Sequence, residues 1–106
     1  MPLMCCLYRL REGTDKEAWD RFVRDSDIPL TLGLPSVRSY RVLRAGPQLE
    51  GSADYDYLEL MDDSDDEALK RDMASDEWKQ GMDAMYQHGL ESEVCFLVSD
   101  VAGQEP

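Results

Sequence analysis

Two prolines and a glycine decide most of what this chain can fold into. They lie in the stretch Asp25-Ser-Asp-Ile-Pro-Leu-Thr-Leu-Gly-Leu-Pro-Ser-Val-Arg-Ser-Tyr-Arg-Val-Leu-Arg44, between an amphipathic helical pattern and an alternating strand pattern. Pro29 and Pro35 stop a regular helix from continuing, and Gly33 permits a turn. The stretch therefore reads as the exit from a first helix and the approach to a second strand.

The patterns on either side complete a βαββαβ order. Pro2–Leu10 (PLMCCLYRL) is short, apolar and bounded by Arg11-Glu-Gly13, which predicts a first strand buried on both faces. Thr14-Asp-Lys-Glu17 has the form of a capping box. The helix it opens carries Ala18, Trp19, Phe22 and Val23 on one side and Asp20, Arg21, Arg24 and Asp25 on the other. Val37–Ala45 is the second strand and Tyr55–Met61 the third, with Tyr55, Tyr57, Glu59 and Met61 sharing one face. Ser64-Asp-Asp-Glu67 is a second capping box, and Ser75 restarts or bends the helical region behind it. Trp78, Met82, Met85 and Tyr86 extend an apolar stripe to a stop at Gly89. Val94–Val101 is the last strand, and Ala102–Pro106 a tail.

Two β-α-β halves predict an α+β, ferredoxin-like fold in one domain, residues 1–106: a four-stranded antiparallel sheet with the helices on one face. The first and last strands are apolar on both parities, so the face away from the helices also needs cover. A second copy of the chain is the natural cover, and a homodimer is expected.

Charge excludes one class of partner. With 23 acidic against 11 basic side chains the net charge is −12, and no basic cluster exists to displace counterions from a nucleic acid. The three cysteines, Cys5, Cys6 and Cys95, have no metal-like spacing and read as small buried strand residues in a reducing compartment. No metal and no cofactor is expected. The N-terminus lacks a basic segment followed by a long apolar run, and no segment reaches transmembrane length, so a cytoplasmic location without a membrane partner is expected. Asp62–Glu67 is acidic, but the glycine and glutamate that an EF-hand loop needs are missing, Met73 standing where the glutamate should be.

Several side chains could carry chemistry. His88 is the only histidine and closes the second helical region. It reads either as an acid/base group near a pocket mouth or as a cation at the negative end of a helix dipole. Tyr55 and Tyr57 beside Glu59, with Tyr40 on the neighbouring strand, suit an aromatic ligand: rings give area and hydroxyls fix orientation. Tyrosine also packs well in sheets, and that reading stays open. Trp19 and Trp78 lie on the apolar faces of the helices, as core residues, as walls of a pocket, or both.

The chain resembles the dimeric α/β-barrel superfamily, and within it the RedY-like proteins (HapK, PigK) encoded with prodiginine pigment pathways. The resemblance rests on the element order, on Ile28-Pro29-Leu30 leading to Leu34-Pro35-Ser36-Val37 and Tyr40, and on Ser75-Asp-Glu-Trp78. It implies two sheets facing one another across a dimer axis, with a pocket between sheet and helices in each subunit. Many EthD-like relatives carry a histidine in a His-x-Pro pattern at the helix exit. Here Asp27 of Asp27-Ile28-Pro29 takes that position, and a carboxylate does not act as base or metal ligand in the way a neutral imidazole does. It can still bind or deprotonate a pyrrole or phenol.

The function expected is therefore binding of a hydrophobic aromatic metabolite, such as a bipyrrole, in a step of prodiginine-type or other secondary metabolism. Asp27 and His88 are the candidate catalytic groups, and Tyr40, Tyr55, Tyr57, Glu59, Trp19 and Trp78 the candidate ligand contacts. A cofactor-independent monooxygenase and a non-catalytic carrier or structural dimer are the alternatives.

Overall fold

The computed structural model describes residues 2–52 and 54–103; the end of the expected tail, residues 104–106, lies outside them. Along the chain come β1 (Leu3–Leu10), α1 (Lys16–Phe22), a π-helical stretch (Val23–Asp27) and α2 (Ile28–Leu32). Then follow β2 (Val37–Arg44), β3 (Tyr57–Asp63), α3 (Asp66–Met73), α4 (Asp76–His88) and β4 (Leu90–Val98). The four strands form one antiparallel sheet in the order β2-β3-β1-β4, the ferredoxin-like arrangement. No helix among the described residues is long and apolar enough to cross a membrane.

Register assigns the faces. Tyr8 opposes Tyr57 on β3 and Glu93 on β4, and Cys6 opposes Glu59 and Cys95. On β2, Tyr40 opposes Met61 and Val42 opposes Glu59. Because side chains alternate, these residues share the helix-covered face, while Leu3, Cys5, Leu7, Leu58, Leu60 and Phe96 share the other. Two apolar clusters fill the space under the helices. One holds Tyr8, Leu10, Trp19, Phe22, Tyr57, Met85 and Leu90; the other holds Met4, Cys6, Met61 and Leu69.

The structure departs from the sequence expectations in local ways with local causes. Helix does not end before Pro29. The N–H of Ile28 bonds to Val23 O, five residues back, and Pro29 follows in the first turn of α2. A proline in α-helix clashes with the carbonyl four residues behind; a wider π turn just ahead of it relieves that conflict. The caps also shift by one residue. Asp15, not Thr14, caps α1 by accepting from Glu17 N–H, and Asp65, not Ser64, caps α3 by accepting from Ala68 N–H. Thr14 instead packs on Gly89, whose φ of 137° and contact with Thr14 leave no room for a side chain. Ser75 does restart the helix, capping α4 through Trp78 N–H.

Two strands are also displaced. β3 begins at Tyr57, so Tyr55 lies outside the sheet and is exposed, and β4 begins at Leu90 rather than Val94. The cysteines are not three separate thiols. Cys6 and Cys95, 89 residues apart in sequence, face each other across β1 and β4 with Cα atoms 4.1 Å apart and form a disulfide, while Cys5 is free and buried. No spacing rule reaches a pair that only sheet register brings together.

Candidate functional site

One cavity opens between the sheet and the helices. Its apolar walls are Met4 and Met61 from the sheet, Leu30 and Leu34 from the α2 region, and Trp78, Met82 and Met85 from α4. Its polar groups are Asp27, Thr31, Tyr40, Glu59 and Glu93. About 470 Å³ inside it is free of atoms, part of it continuous with solvent, but only about 50 Å³ can hold the centre of a water molecule. The space is narrow and bordered by adaptable methionines.

Three elements converge at its polar end. The π-helical stretch presents Asp27, β2 presents Tyr40 and β3 presents Glu59. The Tyr40 hydroxyl stands 2.7 Å from Asp27 Oδ2 and also hydrogen-bonds Glu59 Oε2. Both carboxyls are only 6% exposed. A phenol has one proton and can donate to only one of them. The second contact then requires that the other carboxyl itself hold a proton and donate to the Tyr40 oxygen.

The electrostatics agree with that count. Burial raises the Asp27 carboxyl above the usual aspartate range, against hydrogen bonds from Tyr40 and Thr31 that lower it. Burial, then the nearby Glu93 charge, raises Glu59. Burial, then Asp27, raises Glu93. Tyr40 is likewise raised, by burial and then by Glu59, so it stays a neutral phenol. The site can therefore accept hydrogen bonds from a guest, and can take or return a proton through a carboxyl poised between its two forms.

The expected site residues divide. Asp27, Tyr40, Glu59 and Trp78 line this one cavity. Trp19 does not: it is 1% exposed, and its Nε1–H donates to the Tyr8 hydroxyl at 3.0 Å inside the core. Tyr57 is not among the lining residues: it stacks on Tyr8, and its hydroxyl donates to Asp20 Oδ1 at 2.5 Å. Tyr55 is outside the sheet. His88 is placed away from the cavity, with its ring stacked on Phe22 and Nδ1 2.8 Å from the Ala84 carbonyl, to which that nitrogen must donate. Helix α4 ends with the ring turned onto α1, so His88 is not among the residues that line this cavity.

Glu93 and Thr31 were missed. A last strand that begins at Val94 leaves Glu93 outside it. A charged residue flanked by Val94, Cys95 and Phe96 was the available signal, because strand alternation puts it on the face of Cys95.

The chain matches the family of the REDY-like protein HapK over residues 2–101. No functionally curated protein matches. Among solved structures it is similar to an EthD-family protein from Bacillus halodurans: 24% identity, 95% of this chain and 100% of that one covered, TM-score 0.74. It is similar to HapK from Hahella chejuensis at 23% identity, covering 100% and 99% of the two chains with a TM-score of 0.74. A dimeric ferredoxin-like protein of unknown function from Thermobifida fusca shares 11% identity over 92% and 89%, with a TM-score of 0.69. At these identities the structures speak for the fold, and the match over nearly the whole length speaks for the family: the chain belongs to the REDY-like HapK family.

Proposed function

We propose that this protein binds a flat, hydrophobic aromatic metabolite bearing N–H or O–H donors, a bipyrrole being the class that fits, and assists a step of prodiginine-type or related secondary metabolism. The observation that carries the reading is the Tyr40 hydroxyl held between the buried Asp27 and Glu59 carboxyls at the end of an apolar slot. Acceptors outnumber donors there, and a guest with ring N–H groups supplies what is short, while methionine and tryptophan cover its faces. Asp27 or Glu59 takes or gives the proton if a bond is to be activated.

The functional unit in this reading is a cytoplasmic homodimer. The sheet face away from the helices offers Leu3, Leu7, Leu58, Leu60 and Phe96, an apolar surface that a second copy would cover. The apolar N-terminal run is the central strand β1, which favours a structural over a targeting role for it. Leu60→Lys should give a monomer in sedimentation; an unchanged dimer would remove this face as the interface.

The binding test titrates the pure protein with a 2,2′-bipyrrole carbaldehyde under air, following the combined fluorescence of Trp19 and Trp78 and product formation. Saturable binding lost in Tyr40→Phe and Asp27→Asn, both still folded, is expected. New product separates an enzyme from a carrier. Binding that is equally tight in both variants overturns the site.

A further inference from the structure

We infer that Cys6, Cys95 and Glu93 form, in the reduced protein, a binding site for a thiophilic divalent cation such as zinc at the β1–β4 edge of the cavity. Their ligand atoms, one per residue, all lie within 4.8 Å of one another. Cys95 Sγ is 2.9 Å from Glu93 Oε1, and the other oxygen, Oε2, is buried with no hydrogen-bond partner. Register explains the grouping: Cys6 and Cys95 are directly opposed, and Glu93 is two residues from Cys95 on the same face of β4.

The two sulfurs are joined in the disulfide form, and in that form they cannot bind a metal. A reducing compartment turns them into thiols, since structural disulfides do not persist there. Reduction by a dithiol consumes two electrons and two protons at the sulfurs. Binding of the cation then releases those two protons, because thiolates are the ligands. Zinc bonds of about 2.3 Å to sulfur in a tetrahedral site place two thiolates about 3.8 Å apart, a separation side-chain rotation supplies once the S–S bond is gone.

Three features suit a cation here rather than two idle thiols. Buried Glu59 stands opposite Cys6 on β3, half-buried Glu93 adds a second carboxyl, and no arginine or lysine is among the residues lining the cavity. A divalent ion would offset that negative charge. β4 is the edge strand and Cys95 is exposed, so an ion has a path in. Cys6 and Glu93 line the cavity itself. Three protein ligands leave a coordination position for water or for a guest, the arrangement of a reactive rather than a closed structural site.

The test uses the whole protein, reduced with a phosphine under argon, desalted and titrated with cobalt(II) and then zinc(II). A thiolate-to-cobalt charge-transfer band that saturates and is bleached by zinc is expected, together with a zinc-dependent rise in melting temperature. The oxidised protein should show neither. Cys95→Ser, on the edge strand, should abolish the band even where Cys6→Ser, in the core, fails to fold. Glu93→Gln should weaken cobalt binding by about tenfold or more. All three thiols free by titration in the unfolded reduced protein, Cys5 among them, but no charge-transfer band would overturn the proposal. So would full cobalt affinity in Glu93→Gln, or a disulfide that survives excess reductant in the folded protein.

Discussion

Two regions under the same helices are made of the same kinds of side chain and end in opposite states. Around Tyr8, tyrosine and tryptophan rings fill the space completely. Tyr8 stacks on Tyr57 with centroids 5.1 Å apart and meets Trp19 edge-on at 5.6 Å. Its polar atoms are matched one to one: Trp19 donates to Tyr8, Tyr57 donates to Asp20, and Arg44 pairs with Asp20. Around Tyr40, a tyrosine, a tryptophan and carboxyls instead border an opening. There two carboxyls, Asp27 and Glu59, share one phenol, the Thr31 hydroxyl serves only Asp27, and Glu93 Oε2 has no partner at all. What separates a core from a site here is not residue type but the balance of donors to acceptors.

The strongest way to break this contrast is to delete one ring from each region. Trp19→Ala should lose about 3–5 kcal/mol in urea unfolding, as for other large core aromatics. Trp78→Ala, half-buried beside existing space, should lose clearly less; equal losses would mean that the second region is also a packed core. Next in size is the hydroxyl of the filled region. Tyr8→Phe leaves the buried Trp19 N–H unpaired and should cost about 1–3 kcal/mol. Tyr40→Phe should change stability by less than about 1 kcal/mol, because water can enter the slot and take the hydroxyl's place. The smallest effect tests whether surplus acceptors are generally kept protonated. The wholly buried Asp63 accepts from Ser36 Oγ at 3.2 Å, and its Oδ2 has no partner. Burial pushes its carboxyl up to about 6, partly opposed by the Ser36 bond. Its contribution to stability is full below the unfolded value of about 4, and is lost as pH rises through about 6. Urea midpoints taken from pH 4 to 7 should fall less steeply in Asp63→Asn than in the parent; parallel curves would refute this.

The fold was legible because its signals are local. Strand parity placed Tyr57, Glu59 and Met61 on one face, and Ser75 and Gly89 marked real helix boundaries. The site was legible only in part. Asp27 stands out by its place in Asp27-Ile28-Pro29, Glu59 and Tyr40 by their places on neighbouring strands, and the fold brings the three together. Trp19 and Tyr57 carry the same sequence signal as Trp78 and Tyr40, and only three-dimensional packing tells them apart. His88 drew attention through its rarity, which says nothing of where a ring turns. The Cys6–Cys95 pairing depends on register between the first and last strands, information spread over the whole chain.

The π-helical stretch has a consequence for how such a site can change. A π turn holds about one residue more than an α turn, and each residue advances a helix by about 100°. Shortening Val23–Asp27 by one residue would swing Asp27 out of the slot and bring a neighbour round, while the strands and their pairing stay as they are. A single-codon insertion or deletion in one helix is therefore a selector: it rewrites which side chain meets the guest without redesigning the scaffold, and it offers engineers a dial that ordinary substitution does not.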